Sequence, residues 1–390
     1  MEQLLEIIKE EIRKAGRITF ERYVELALYH PRYGYYSSGA ASIGKAGDFY
    51  TSSQATRMYG TLMAEAYVKL AGKSGPDFVE MGAGEGLFAA DFLRALAKSH
   101  PLEYGRCRYF IVESAKGMAA RQKEALAGFG DKVIWTEDLD GLPYIEGIFF
   151  SNELVDAFPF HRVKQEPDGL SEIYLCLQGG QEEQSEQGAQ RGPDEKLAFV
   201  TGPLSTQELS KHFRRLMPRL PAGMITEANL RVSEWMGKVG GKLKKGFVIT
   251  VDYGYCAEQY YSPSKMNGTA LCHYRHSTNE DFFERVGEQD ITAHVDFTAV
   301  GLEGKNSGLA SELFCDQGQF LMETLPWFED SARRTNASSD ELIEAGQGIK
   351  TLLHPEWLGG AFKVLVQSKE CSLDGLFGRI RNRVESLNPK

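Results

Sequence analysis

Three glycines alternate with other residues directly after a short apolar run, in Val79-Glu80-Met81-Gly82-Ala83-Gly84-Glu85-Gly86. Glycine has no Cβ, so a ligand can lie against this backbone and face the N–H groups at the start of a following helix. Glu113 ends the next apolar run, where a carboxylate can accept hydrogen bonds from both hydroxyls of a ribose. A glycine loop alone could equally be a structural turn. Its combination with Glu113 predicts a nucleoside-binding site.

The charges around this loop favour one nucleoside cofactor over another. A pyrophosphate bound at a helix N-terminus would be repelled by Glu80 and Glu85. The sulfonium and ammonium groups of S-adenosylmethionine would instead be attracted by them. The spacing is also GxGxG, whereas most dinucleotide-binding folds have GxGxxG. We therefore predict S-adenosylmethionine as the cofactor, with a nicotinamide dinucleotide as the alternative.

Acids also follow the third and fourth apolar runs. After the third, Asp138 can accept a hydrogen bond from an adenine amino group with Leu139 packed nearby, or it can cap a turn. The fourth run ends in Asn152 and Glu153, with Asp156 three residues on. Ligands of doubly wound sheets bind outside the carboxyl ends of the strands, so the reacting groups should meet here. The alternatives are a helix cap for Asn152 and a surface position for Asp156.

A polar and apolar alternation runs through Asp290-Ile291-Thr292-Ala293-His294-Val295-Asp296-Phe297. If this segment is one strand, its polar side chains share a face that lines a cleft or faces solvent. His294 is then a catalytic candidate beside Glu153 and Asp156, with Asp296 as a further possibility on the facing side. Two Asp and one His form no distinctive metal signature, so we expect no metal site.

The elements that must position these residues read as α/β. Short apolar strands alternate with helices, which predicts a parallel sheet covered on both faces. The predicted strands are residues 77–81, 108–113, 133–135, 147–151, 247–252 and 361–366. The alternation breaks between about 160 and 225, where strands at 170–177 and 196–200 flank a very polar stretch and form an inserted hairpin. Two helices open the chain, the second capped by Thr19 and ending at Tyr29 before His30-Pro31.

Composition excludes some functions. The 390 residues carry a formal net charge of −10, which argues against a nucleic-acid-binding surface. No apolar run is long enough for a membrane helix. The acidic N-terminal helix is typical of neither a signal peptide nor a mitochondrial presequence, and six scattered cysteines suit a reducing compartment, so we expect a cytoplasmic protein.

The chain resembles the MidA-like S-adenosylmethionine-dependent methyltransferases, whose mitochondrial members are arginine methyltransferases needed to assemble respiratory complex I. The resemblance rests on strings spread over most of the sequence: Leu28-Tyr29-His30-Pro31, Gly34-Tyr35-Tyr36, Gly47-Asp48-Phe49, Thr51-Ser52, 80–86, Val112-Glu113-Ser114, Asn152-Glu153, Asp156-Ala157, Asp252-Tyr253-Gly254, 290–297, Gln317, Phe320-Leu321 and 362–365. Departures from the family pattern are Ser53-Gln54 for Pro-Glu, Leu358 for Met and Asp316 for Thr.

The resemblance implies a Rossmann-like, seven-stranded methyltransferase core with an N-terminal helical cap and inserted β-hairpin and helical elements. We predict five segments: a cap with a cofactor-covering loop (1–76), the first part of the core (77–163), a β-rich insertion for substrate or partner (164–225), the rest of the core with a helical lid (226–370) and a C-terminal tail (371–390). The predicted cofactor contacts are Gly47, Asp48, Phe49, Thr51, Ser52, Glu80, Gly82, Ala83, Gly84, Gly86, Glu113, Ser114, Asp138, Leu139, Asn152 and Glu153.

The expected activity is N-methylation of arginine on a protein substrate, which the resemblance connects with a respiratory-complex subunit. The alternatives are a cofactor-binding assembly or scaffold protein without turnover and an NAD-linked oxidoreductase. Neither nucleic acid nor a membrane is expected as a partner. The helices and insertions leave room for a homodimer.

Overall fold

The computed structural model describes residues 2–38, 52–179, 195–217 and 219–389. The chain forms two compact units. Unit 1 consists of residues 1–41, 158–231 and 261–293, and unit 2 of residues 42–157, 232–260 and 294–390. The boundaries near 41 and 293 differ from the predicted segment limits, and the five-segment division stays a prediction.

Unit 2 is built on one large mixed sheet. Its seven main strands are β1 (Asp77–Met81), β2 (Arg108–Val112), β3 (Val133–Thr136), β4 (Ile145–Asn152), β5 (Leu243–Tyr255), β6 (Ala310–Asp316) and β7 (Phe362–Lys369). Their order across the sheet is β6-β7-β5-β4-β1-β2-β3, and a short strand, Val295–Asp296, pairs with the end of β5. The predicted α/β core is therefore confirmed.

Five of the strands, β1 to β5, are parallel, as the alternation of strands and helices predicts. β7 is the exception, since it runs antiparallel to both β5 and β6. A purely parallel sheet was therefore wrong for this edge. β6 was missed because its sequence, Ala-Ser-Glu-Leu-Phe-Cys-Asp, has neither an alternating apolar pattern nor a long apolar run.

Helices cover the sheet, and the longer ones, such as Leu87–Ser99, bury apolar residues against it. The α-helices of unit 2 are Ser52–Ala55, Met58–Ser74, Leu87–Ser99, Pro101–Arg106, Lys116–Ala125, Arg231–Lys242, Ala257–Tyr260, Phe297–Asn306, Gln317–Arg334, Ser339–Leu353 and Leu358–Ala361, and the 3₁₀ turns are Ala127–Lys132 and Val384–Leu387; Arg231 itself belongs to unit 1. An aromatic cluster fills the interior: Phe78 lies 4.5 Å from Phe92, and Phe88 lies 4.7 Å from Phe150, between ring centroids.

Unit 1 contains two smaller antiparallel sheets. The larger comprises Ile18–Thr19, His161–Glu166, Gly169–Gln178, Lys196–Gly202 and Ile225–Ala228, and the smaller Leu271–Tyr274, Ser277–Asn279 and Asp290–Thr292. The helices are Glu2–Ala15, Phe20–Tyr29 and Gln207–Leu216, with a 3₁₀ turn at Pro263–Lys265. Residues 169–178 and 196–202 pair antiparallel, which confirms the predicted hairpin. The polar stretch 180–194 between them lies outside the described residues.

The start of unit 1 follows the predicted capping. The Thr19 side chain accepts a hydrogen bond from the Arg22 N–H at 3.0 Å, and the helix ends at Tyr29. Phe20, Tyr23 and Val24 are buried on its inner side. Across the described parts of both units, no helix is long and apolar enough to cross a membrane.

The close approach of β1 and β4 at Gly147 can be tested by substitution. A Cβ at Gly147 would lie 2.0 Å from the Asp77 carbonyl oxygen, so a methyl group there must push β1 and β4 apart. We expect Gly147→Ala to lower the free energy of unfolding by about 2–3 kcal/mol or more, measured by urea denaturation.

Gly346, in the middle of an exposed helix, has open space where a Cβ would stand and is the matched control. Gly346→Ala should raise stability by about 0.5–1 kcal/mol, because alanine costs less backbone entropy in a helix. Equal stabilities of the two variants would contradict the close approach of β1 and β4.

Candidate functional site

The glycine loop is a left-handed turn between β1 and helix Leu87–Ser99. Gly82, Gly84 and Gly86 have φ values of 72°, 51° and 82°, a region that residues with a Cβ rarely adopt. A Cβ at Gly82 would also lie 2.9 Å from Cδ1 of Leu154. Ala83 is buried inside the turn, whereas Gly82 is exposed at its surface. The turn therefore presents bare backbone at the carboxyl edge of the sheet.

Glu113 lies directly after β2 and is connected to the glycine turn through the side chain of Gln122. Its Oε1 accepts a hydrogen bond from the Ala115 N–H at 2.9 Å, and its Oε2 accepts one from Gln122 Nε2 at 2.9 Å. Gln122 Nε2 also donates to the Gly84 carbonyl at 2.8 Å, while its Oε1 accepts from Trp135 Nε1 at 3.2 Å. The fully buried Gln122 thus couples the glycine turn to the ribose-binding candidate.

Glu80, in β1 just before the turn, is almost completely buried. Burial and, secondarily, the charge of Glu113 raise the pKa of Glu80 to about 7, against a hydrogen bond from Tyr109 that lowers it. The Tyr109 hydroxyl donates that bond to Oε2 at 2.7 Å. A buried carboxyl group with a pKa near 7 ionises more readily when a positively charged ligand approaches.

The other predicted cofactor residues on this side have mixed surroundings. Asp138 is exposed and its Oδ1 accepts a hydrogen bond from the Gly141 N–H at 2.9 Å, which is the turn-capping alternative. Leu139 is buried, and Ser114 is exposed beside Glu113. A cap does not prevent an exposed carboxylate from accepting a further bond, so contact with the adenine stays a prediction for Asp138.

Glu153 occupies the end of β4 in a strained backbone conformation, with a φ of 53°. Its Oε1 accepts a hydrogen bond from Asn152 Nδ2 at 2.9 Å, and its Oε2 accepts one from the Tyr253 hydroxyl at 3.4 Å. The Asn152 Oδ1 accepts from the Tyr59 hydroxyl at 2.7 Å. Burial first, and then the charge of Asp156, raise the pKa of Glu153 to about 8.

Asp252 in β5 joins the same acidic group and is fully buried. Its Oδ2 accepts from the N–H groups of Val155 at 3.0 Å and Asp156 at 3.3 Å, and its Oδ1 from the Tyr253 N–H at 2.9 Å. Burial and the charge of Glu153 raise the pKa of Asp252. Asp156 is also buried. We call Glu153, Asp156 and Asp252 the acidic cluster.

The segment 290–297 is not one strand, so the predicted common polar face is wrong. Asp290–Thr292 pairs with Leu271–Tyr274 in unit 1, whereas Val295–Asp296 pairs with β5 in unit 2. Asp296 instead caps helix Phe297–Asn306 by accepting from the Thr298 and Ala299 N–H groups. Asp290 accepts from the Tyr36 hydroxyl at 3.0 Å within unit 1.

His294 nevertheless lies on the acidic-cluster side of unit 2. Its ring is 6.4 Å from that of Tyr253 and 5.3 Å from that of Tyr255, between centroids. The Tyr253 hydroxyl donates a hydrogen bond to Glu153, so the Tyr253 ring lies between His294 and the acidic cluster. Its catalytic role stays a prediction. Among the described residues, no group of three or more His, Cys, Asp or Glu side chains could hold a metal ion.

The predicted cofactor-covering loop is described only at its end. Gly47, Asp48, Phe49 and Thr51 lie outside the described residues. Ser52 is fully buried and begins a short helix, and its Oγ accepts a hydrogen bond from Gln317 Nε2 at 3.1 Å. The Ser52 N–H also donates to Glu153. The end of the loop is therefore tied to the acidic cluster.

The sequence analysis did not identify three residues of the site. These are Gln122, Tyr59 and Asp252, the last of which accepts hydrogen bonds from the loop 153–156. Gln122 and Tyr59 lie within helices, and nothing in their local pattern marks them. Asp252 carries a weak signal, since it is an acid within an otherwise apolar strand, and a fully buried acid requires donors.

This strand order with one antiparallel strand, a glycine turn after β1 and acids after β1, β2 and β4 defines a Rossmann-like methyltransferase. The chain matches the family model Methyltransf_28, which describes S-adenosyl-L-methionine-dependent methyltransferases, over residues 58–315. It therefore belongs to this family.

Named relatives agree with that assignment. Protein arginine methyltransferase NDUFAF7, mitochondrial, from Mus musculus is 24% identical over 418 residues, covering 99% of this chain and 88% of that protein. The Caenorhabditis elegans homologue of the same name is 24% identical over 325 residues, covering 75% and 70%. Among solved structures, a COG1565 superfamily member from Burkholderia thailandensis bound to S-adenosyl-homocysteine is 28% identical with a TM-score of 0.81, covering 98% of this chain and 95% of that one.

The cofactor is S-adenosylmethionine, as predicted, and the NAD alternative is set aside. The site has features that suit it. The glycine turn leaves room for a nucleoside against the backbone, and Glu113 presents a carboxylate for the ribose hydroxyls. Glu80 and the acidic cluster would favour the positive sulfonium and ammonium groups. The contacts of individual residues with the cofactor stay predictions.

Gln122→Leu tests the coupling of the turn to Glu113. The change keeps the side-chain size but removes the donor to Gly84 and Glu113. Because a hydrogen bond to a charged group is worth about 1.5–3 kcal/mol, we expect S-adenosylmethionine to bind about tenfold more weakly, or worse. Calorimetric titration measures this. Glu124→Gln, an exposed change on the same helix, should bind the cofactor like the unaltered chain. An unchanged dissociation constant for Gln122→Leu would remove Gln122 from the site.

The raised pKa of Glu153 predicts a pH-dependent stability. The folded chain holds the Glu153 proton up to about pH 8, whereas the unfolded chain releases it near its ordinary pKa of 4.5. The free energy of unfolding therefore decreases as the pH rises from about 4.5 to about 8. Glu153→Gln has no proton to lose, so its melting temperature relative to the unaltered chain should increase from pH 5 to pH 9.

Glu137→Gln is the control for that experiment, because Glu137 is exposed. Its difference in melting temperature from the unaltered chain should stay flat over the same pH range. A flat difference for Glu153→Gln as well would show that Glu153 ionises in the folded chain as it does in water.

Proposed function

We propose that this methyltransferase N-methylates arginine side chains of a protein substrate. The observation that carries the proposal is the acidic cluster, in which Glu153, Asp156 and Asp252 gather at the carboxyl edge of β4 and β5. The cluster shares that edge with the glycine turn, since β1 pairs with β4 in register from Asp77 to Met81. A methyl acceptor that meets the cofactor there meets carboxylates.

The cluster is better suited to a cation than to a neutral acceptor. Burial and mutual repulsion raise the pKa values of Glu153 and Asp252, so the free site holds its negative charge at a cost. A guanidinium is always positive in water, and its planar donors match paired carboxylate oxygens. Its entry would relieve the repulsion. A neutral hydroxyl or carbon acceptor would gain nothing from this arrangement.

The residues of the site would then orient the acceptor. Bound S-adenosylmethionine supplies a methyl group on a positively charged sulfur. The carboxylates would grip the guanidinium, leave one nitrogen aimed at the methyl carbon and favour charge on the other nitrogens. As the nitrogen–carbon bond forms and the carbon–sulfur bond breaks, the nitrogen must lose one proton. Entry of the guanidinium would favour the ionised form of Glu153, whose pKa is raised to about 8, and the carboxylate could then accept this proton.

The relatives support the proposed acceptor. The Mus musculus and Caenorhabditis elegans proteins are both named as protein arginine methyltransferases, although each is only 24% identical to this chain. An arginine in a respiratory-complex subunit is the corresponding substrate class that we propose here. A cytoplasmic location and a homodimer stay predictions.

The test is transfer of a labelled methyl group. The purified chain is incubated with methyl-labelled S-adenosylmethionine and a protein extract of the source organism, and modified residues are mapped by mass spectrometry. We expect label on arginine. Glu153→Gln and Asp156→Asn should each lower the transfer rate at least about a hundredfold, because a positioning carboxylate and a proton acceptor are lost. Both variants should still bind the cofactor, although more weakly, because each loses one carboxylate of the acidic cluster but keeps the glycine turn and Glu113.

Asp131→Asn is the matched control, since Asp131 is exposed and lies before β3. It should transfer label at the unaltered rate. Label found only on other residue types or on small molecules would overturn the arginine proposal. Cofactor binding without label transfer to any acceptor would favour an assembly role.

A further inference from the structure

A series of two side-chain hydrogen bonds leads from the helical layer of unit 2 to Glu153. The Tyr59 hydroxyl donates to Asn152 Oδ1 at 2.7 Å, and Asn152 Nδ2 donates to Glu153 Oε1 at 2.9 Å. An amide has its acceptor on one side and its donors on the other. Because Tyr59 bonds the oxygen of Asn152, the amide must present its donor to Glu153.

The Tyr59 hydroxyl keeps its proton available for the hydrogen bond to Asn152. Burial above all, and then the charges of Glu153 and Glu80, raise the pKa of Tyr59 well above its ordinary value. The hydroxyl therefore stays protonated at every working pH and remains a donor. When Glu153 is ionised, a turned amide would place its oxygen against the carboxylate and lose this bond.

The backbone of Glu153 shows why such a restraint is needed. A φ of 53° is uncommon for a residue with a Cβ, and such conformations persist only where the surroundings fix them. The Glu153 N–H donates to the Val251 carbonyl at 2.9 Å, and Asp252 holds the N–H groups of Val155 and Asp156. Asn152 and Tyr253 then each bond one carboxylate oxygen.

We propose that Tyr59 is a positioning residue for methyl transfer: through Asn152 it fixes the direction of the Glu153 carboxylate and favours its ionised form. This inference rests on the role proposed above for Glu153. Tyr59 acts only through Asn152. Loss of its hydroxyl releases the amide, weakens the bond that Glu153 receives, and leaves the carboxylate both less well aimed and harder to ionise.

The chain offers a closely matched pair of variants. Tyr59 and Tyr67 are both buried in helix Met58–Ser74, and each hydroxyl donates one hydrogen bond at 2.7 Å. The acceptor of Tyr67 is the Pro76 carbonyl, away from Glu153. The Tyr59 ring packs 5.6 Å from Phe88, a contact that phenylalanine keeps. Tyr59→Phe and Tyr67→Phe therefore each remove one buried donor; the Tyr67 hydroxyl also interacts with Cys107, and only the Tyr59 hydroxyl leads to Glu153.

The readout is the titration of Glu153 itself, followed by carbon NMR of the chain labelled at glutamate carboxyl groups, with Glu153→Gln to assign the signal. Tyr59→Phe should move the titration midpoint of Glu153 up by about half a pH unit or more, since the bond that Asn152 donates to the ionised form is weakened. Tyr67→Phe should leave the midpoint unchanged. With an accepted substrate, Tyr59→Phe should lower kcat about tenfold with KM for the cofactor within about twofold.

Asn152→Ala gives a second route if Tyr59→Phe folds poorly. It should shift the Glu153 midpoint like Tyr59→Phe, and the double variant should shift it no further, because both changes break the same series of bonds. Equal midpoints in Tyr59→Phe and Tyr67→Phe, or additive shifts in the double variant, would overturn the proposal. The titration needs no methyl acceptor, so it separates a failure of this inference from a failure of the arginine assignment.

Discussion

Burying a carboxylate costs free energy unless donors replace the water that it loses, and this applies to Glu80, Glu113, Glu153 and Asp252 at or near the carboxyl edge of the seven-strand sheet. Each has received its donors from a different part of the chain. Tyr109 serves Glu80, Gln122 and a backbone N–H serve Glu113, and backbone N–H groups serve Asp252, while Asn152 and Tyr253 serve Glu153. These carboxylates favour the positive groups of the cofactor, and they would favour the guanidinium that we propose as the acceptor.

The parts of this arrangement that follow from local rules could be predicted. A left-handed turn favours glycine, so Gly82, Gly84 and Gly86 predict the turn. An acid directly after an apolar run, such as Glu113, is predicted to lie at the end of a strand. The donors could not be predicted in the same way. Gln122 and Tyr59 reach partners through the fold, and a buried polar side chain in a helix leaves the same pattern as many others.

The error over residues 290–297 has a similar origin. Alternation reports that a segment is extended, but not which sheet it joins. Here the chain passes from one unit to the other between Ala293 and His294, so three residues pair with one sheet and two with another. The antiparallel course of β7 is likewise set by its partners, since its apolar run is typical of either direction.

The position of β7 within the sheet order affects how the protein folds during synthesis. β7 lies between β5 and β6 in the sheet, yet it is the last of the seven strands to leave the ribosome. Roughly a hundred residues separate the end of β5 from β7, so β5 waits about 5–20 s at ordinary rates of translation for its second neighbour. During that time a long, apolar strand edge is open to other chains. The uncovered edge of β5 is therefore a point at which the growing chain can aggregate, and β7 covers that edge in the finished sheet.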